Sequence, residues 1–190
     1  MTAFRVICAL LALLAIGIEG HGQEKPKVDP KRPPKVQTDN KNGLIKKYRD
    51  KLQLAASTTY PGWECAKAID GKLETSWFSN SNDSVAKGTK PWFEVKFPED
   101  VTITRVTILG NREPQWLKGY TILAGGLELL DKNGKRIHYE DNEGVGNFFD
   151  FDFKLEKPKA KVRTVRFKIL GDQGDENPYG DIAIAEIQID

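Results

Sequence analysis

From Leu52 to the end of the chain, apolar residues recur mainly at every second position, the period of strands rather than helices. "WFEVKF" (92–97) mixes aromatic and β-branched residues ahead of Pro98, and "VTITRVTILG" (101–110) alternates until its phase changes near Val106. "GYTILAGGLELLD" (119–131) and "GKRIHYE" (134–140) flank "DKNG", whose Asn133-Gly134 pair predicts a tight hairpin. "NFFDFDFKLE" (147–156) sets Phe149, Phe151, Phe153 and Leu155 against Asp150, Asp152 and Lys154. "VRTVRFKIL" (162–170) and "DIAIAEIQI" (181–189) complete the series. Helical spacing is confined to "GLIKKYRDK" (43–51), a short amphipathic lead-in. Seven or eight such strands predict an all-β fold, an antiparallel sandwich or barrel.

The long gap in this pattern, residues 57–91, is predicted to be a functional loop or one pinned by something. Near its centre stands "AKAIDGKLETSWF" (66–78). Asp70 supplies a carboxylate, Gly71 a sharp turn and Thr75 a hydroxyl, which is oxygen chemistry suited to calcium. One loop rarely fills such a shell, and Glu186 is the odd residue in the otherwise apolar "IAIAEIQI". If it shares a face with Ile182 and Ile184, it points inward, where a carboxylate needs a cation or donors. An Asp-Gly turn with a capping Thr and an edge Glu accounts for the same residues.

Outside the strand-rich region the composition changes. Val6–Ile18 is apolar behind Arg5, and Gly20 and Gly22 fit a cleavage site, so 1–22 reads as a signal peptide and the mature protein as secreted or extracytoplasmic. No later stretch is apolar enough to span a bilayer. Residues 23–42, rich in Lys and Pro, are predicted to be a disordered linker, leaving 43–190 as the domain. Residues 24–51 carry ten Lys/Arg and four Asp/Glu, a net of +6, whereas 52–190 carry eighteen and twenty-two, a net of −4. A basic arm thus precedes a mildly acidic domain, and the globular part offers nothing to nucleic acid. With the signal removed one cysteine remains, Cys65, so no internal disulfide is available and a buried, inert thiol is expected.

"AIDGKLETSW" combined with the closing "IAIAEIQI" resembles the discoidin, or coagulation factor 5/8 type C, domain of the galactose-binding-like superfamily. Ala68, Asp70, Gly71, Thr75, Trp77, Trp92, Val95 and Ala185-Glu186-Ile187 carry the resemblance, which covers about residues 52–190. It implies an eight-stranded jelly-roll-like sandwich, similar to carbohydrate-binding modules, with Trp77 packed in the core beneath the loop. It also implies structural calcium held by Asp70, Thr75 and Glu186, with carbonyls of Lys67, Lys72 and Ala185 completing the shell. Arg112 falls near the family's sugar-binding Arg, and Tyr179 near an aromatic platform. The segment 57–65 lacks a matching His, and "AGGLELLDKNGKRI" lacks the family's Ser-x-Asp-Gly-x-x-Trp, so a galactose preference is not carried over.

Trp63, Trp116 and Tyr179 lie in polar loops, where exposed rings beside Arg112 suit sugar C–H faces. Each ring could equally fold back onto the sandwich, and Arg112 could simply pair with Glu113. The chain has no nucleophile elbow, zinc-helix motif, phosphate loop or Cys/His cluster. The acidic run "DQGDE" (172–176) reads as a solvated turn rather than a glycosidase pair. The expectation is a non-catalytic, monomeric binding module for glycan or cell-envelope polysaccharide. The alternative is a protein-interaction or scaffold domain on the same fold.

Overall fold

The computed structural model describes residues 43–173, 177 and 179–190. The expected signal peptide and Lys/Pro linker lie outside these residues, as do three of the five positions in the 172–176 acidic run. The strands are β1 (Gln53–Ala56), β2 (Trp77–Phe78), β3 (Trp92–Gly110), β4 (Ile122–Leu130), β5 (Arg136–Glu143), β6 (Phe151–Asp172) and β7 (Ala183–Ile189), all paired antiparallel. A short helix, α1 (Leu44–Tyr48), precedes them.

Two expected strand pairs are each a single long strand. The segments at 92–97 and 101–110 join through Pro98-Glu99-Asp100 as β3, and those at 147–156 and 162–170 join as β6, which begins only at Phe151. Their mutual register shifts between Lys96 and Val101, again before Ile103 and again before Arg105. Such irregularities bend a strand pair, which lets β3 and β6 pass from one layer to the other. In one layer the first part of β3 and the last part of β6 pair with β1 and β4, and β5 extends it. In the second layer the opposite halves pair with each other, followed by β7 and then β2. The hairpin is as the sequence predicts: Asp131 Oδ1 accepts from the backbone N–H groups of Asn133 and Lys135, and Gly134 takes φ +78°.

The layers face each other across aromatic rings. Trp77 of β2 meets Phe93 of β3 edge-on at 5.1 Å, and Phe151 meets Phe167 at 5.0 Å. Trp77 is fully buried, as its place in the motif implies. Helix α1 belongs to this core, with Ile45 and Tyr48 buried against it. Strand β7 lies between β2 and β3 and is buried along its whole length, polar positions included. Cys65 is half-buried beside the Thr59 hydroxyl at 3.4 Å, and burial pushes its thiol up, away from the reactive thiolate.

Candidate functional site

The region left without strand signals, 57–91, is held by side chains instead of a ladder. Ser57 and Thr58 hydroxyls both donate to Asp83 Oδ2 at 2.6 Å, and Ser79 Oγ donates to the Asp83 carbonyl at 3.0 Å. Phe78 lies in this region, in the two-residue strand that the sequence pattern did not predict. Its carbonyl accepts from Tyr60 N, and its N–H reaches the Trp63 carbonyl at 3.3 Å. These bonds set Tyr60 and Trp63 beside Phe78. On the other side, Ala183 N donates to the Tyr120 carbonyl, tying Tyr120 to β7.

The result is a continuous wall of five rings, each edge-on to the next. Tyr60 meets Trp63 at 5.7 Å, Trp63 meets Phe78 at 5.7 Å, Phe78 meets Tyr120 at 5.0 Å and Tyr120 meets Trp116 at 6.5 Å. Together with Tyr179, Ser81 and Asp181 they line an open cleft of about 310 Å³. Trp116 and Tyr179 are 37% and 58% exposed, enough ring face to receive a ligand.

Two buried asparagines shape the rim. Asn111 Oδ1 accepts from Ser76 Oγ and Glu113 N, while its amide donates to the Trp116 carbonyl. Asn177 Oδ1 accepts from Tyr179 N and Gly180 N, and its amide donates to the Asp181 carbonyl. Each asparagine thus closes one aromatic-bearing loop.

Of the four expected ligand residues, Trp63, Trp116 and Tyr179 share this cleft, and Arg112 does not line it. The Arg112 guanidinium pairs with buried Asp150 at 2.6 Å, donates to the Gly110 carbonyl at 2.7 Å and stacks 4.4 Å over Phe148. Its partner is therefore Asp150 on a distant segment, not neighbouring Glu113. Tyr60, Phe78, Tyr120 and Asp181 were not singled out from the sequence. Tyr60 and Tyr120, each next to a Pro or Gly turn residue, were the available signal.

Of the expected cation donors, Asp70 bonds Thr75, and Glu186 meets the turn beside Asp70. Gly71 N donates to Glu186 Oε2 at 3.0 Å, across 115 residues of chain. Asp70 Oδ1 accepts from Lys72 N at 2.8 Å, its Oδ2 accepts from Thr75 Oγ1 at 2.9 Å, and the same hydroxyl reaches the Lys72 carbonyl at 3.3 Å. Lys67 lies in the turn just before Asp70, its ammonium 5.4 Å from the Trp63 ring centre, and Ala185 is fully buried beside Glu186 in β7. Glu186 is 3% exposed, and its carboxyl is pushed up to about 8 by burial first, with the Asp70 charge adding to the effect. The Gly71 N–H and the Arg49 guanidinium oppose that shift. No three His, Cys, Asp or Glu side chains gather around one point among the described residues, so a cation here would rest on two carboxylates, a hydroxyl and carbonyls. That all-oxygen set fits calcium.

The sequence profile of the F5/8 type C domain matches residues 53–186. No curated protein sequence matches the chain. Among solved structures, the family 32 carbohydrate-binding module of NanJ from Clostridium perfringens, in complex with galactose, is similar with a TM-score of 0.60 at 17% identity, covering 74% of this chain and 94% of that one. The lectin domain of lectinolysin, complexed with Lewis B antigen, gives a TM-score of 0.56 at 13% identity over 73% and 91% of the two chains. A Streptococcus pneumoniae fucose-binding module gives 0.52 at 14% identity over 72% and 89%. With the profile spanning the strands, the Asp70 loop and Glu186, this chain belongs to the F5/8 type C domain family.

Proposed function

We propose that this protein is a secreted, non-catalytic module that binds extracytoplasmic glycan in the aromatic cleft. The observation that carries the reading is the five-ring wall from Tyr60 to Trp116, open to solvent and faced by Tyr179. Ring faces cover the C–H side of a sugar, and a concave site of this volume suits one or two sugar units. A flat protein partner has less use for such a hollow. The structural neighbours bound to galactose and Lewis B antigen support the same ligand class.

In this reading Trp63, Trp116 and Tyr179 contact the ligand, while Arg112 holds the β3 exit in place through Asp150. Calcium, bound by Asp70, Thr75 and Glu186 with carbonyls of Lys67, Lys72 and Ala185, would neutralise the paired carboxylates and fix the 70–75 loop. Secretion rests on the character of residues 1–22, and among the described residues no helix is long and apolar enough to cross a membrane. A glycan array on the purified protein, followed by calorimetry, tests the proposal. Binding that Trp116→Ala and Tyr179→Ala both weaken is expected; absence of binding to every glycan overturns it.

A further inference from the structure

Among the described residues the two layers leave four strand edges open, and three of them are poor templates for another chain. Strand β1 offers four residues and β2 two. The first half of β6 pairs with β3 alone, and Lys154, Lys157, Pro158, Lys159 and Lys161 blunt that edge with like charge and a proline. The fourth edge is β5. It runs for eight residues, none of them buried, and contains neither proline nor lysine. It pairs with β4 on one side and with nothing on the other.

Gly144 N donates to the Leu123 carbonyl at 2.9 Å, which sets the phase of the β4–β5 ladder. Alternate residues of an antiparallel strand turn their N–H and C=O groups away from the partner, and by this phase they are Tyr139, Asp141 and Glu143. A register shift between His138 and Arg136 ends the regular run. Charge is segregated along the same strand: Lys135, Arg136 and His138 come first, then Glu140, Asp141 and Glu143. Two copies laid parallel would align like charges, which is destabilising. Laid antiparallel about an axis through Tyr139, they set His138 opposite Glu140, twice, and bring each Lys135–Arg136 end against an Asp141–Glu143 end. Ile137 and Tyr139, 37% and 38% exposed, give the contact an apolar centre.

We infer that the protein pairs with a second copy of itself through β5, in place of the monomer expected from the sequence. The two copies form an antiparallel two-fold dimer, their β5 layers joined into one continuous sheet. Because the other edges are short or blunted, assembly stops at two. The contact is one strand wide, so the dimer is a weak, concentration-dependent one. It carries two aromatic clefts, and a glycan long enough to reach both is held by avidity. That consequence depends on the glycan reading; the pairing does not.

Sedimentation equilibrium of the full chain, from micromolar to near-millimolar concentration and at low and high salt, tests the inference. The wild type is expected to show a monomer–dimer equilibrium that weakens as salt rises. Two double variants reverse opposite ends of β5 at exposed positions: Asp141→Lys with Glu143→Lys, and Lys135→Glu with Ile137→Glu. Each alone is expected to raise the dissociation constant at least about tenfold, because like charges then face each other. An equimolar mixture of the two is expected to restore association as a heterodimer, which loss of stability in either variant would not do. In the wild type, amide exchange at Tyr139 and Asp141 is expected to slow as the dimer forms. A wild type that stays monomeric throughout, a dimer that both variants leave unchanged, or a mixture that does not associate overturns the inference, whether or not the protein binds glycan. Should a variant fail to fold, the exchange measurement decides, and unaltered exchange at both amides in the dimer overturns the inference.

Discussion

Glu186 is the residue whose ionisation couples most directly to stability. Burial pushes its carboxyl from an ordinary 4.5 to about 8. Between those values the folded state holds a proton that the unfolded state has lost, so folding is favoured at the acid end. With chelator present, the Glu186 contribution should be complete below about pH 4.5 and should be lost as pH rises through about 8. Glu186→Gln should flatten that slope, and melting curves across the window with wild type and variant side by side check it. A wild-type curve with no decline contradicts the assignment. Calcium acts in the opposite sense by stabilising the ionised form. Saturation at 100 times the dissociation constant should add about 2.7 kcal/mol, and Asp70→Ala should abolish that response. A melting temperature indifferent to both calcium and chelator would exclude the site.

At the scale of elements, the proposed binding would depend on loops that strands alone do not hold. Trp116 and Tyr179 are presented by Asn111 and Asn177, whose amides replace ladder hydrogen bonds. Truncating either ring should cost about 1–3 kcal/mol of glycan affinity, the scale of one aromatic contact surface. Asn177→Ala removes nothing from the cleft lining, yet it should also weaken binding, because Tyr179 and Asp181 lose their common anchor. Calorimetry on the three variants separates contact from positioning, and normal affinity in Asn177→Ala would show that the loop holds its shape without it. By contrast, Trp77→Ala should act through folding, costing about 3–5 kcal/mol for a large buried ring, and should lower the melting temperature.

For the whole molecule, the family profile begins at residue 53 but the core does not. Ile45 and Tyr48 on α1 are buried against the sandwich. A chain starting at Gln53 should therefore be less stable than one starting at Gly43 by at least about 3 kcal/mol, from two lost apolar side chains. Comparing the denaturant midpoints of the two chains checks this, and equal midpoints would mean that α1 packs without contributing.

Local sterics and side-chain period are written along the chain, so the sequence by itself determined most of the strand character of 92–97, 101–110, 119–131, 134–140, 147–156, 162–170 and 181–189, the Asn133-Gly134 hairpin and the Asp70-Gly71 turn. The burial of Trp77 and Glu186 was legible too, through the family motif and the break in an apolar strand. Only the tertiary structure decided that β3 and β6 run on unbroken between layers, because a strand's end depends on whether its neighbours continue to pair. It also decided the partner of Arg112, an aspartate 38 residues away. The cleft belongs to this second group. Its walls come from segments around residues 60, 78, 120 and 180, and periodicity within each segment carries no information about the others.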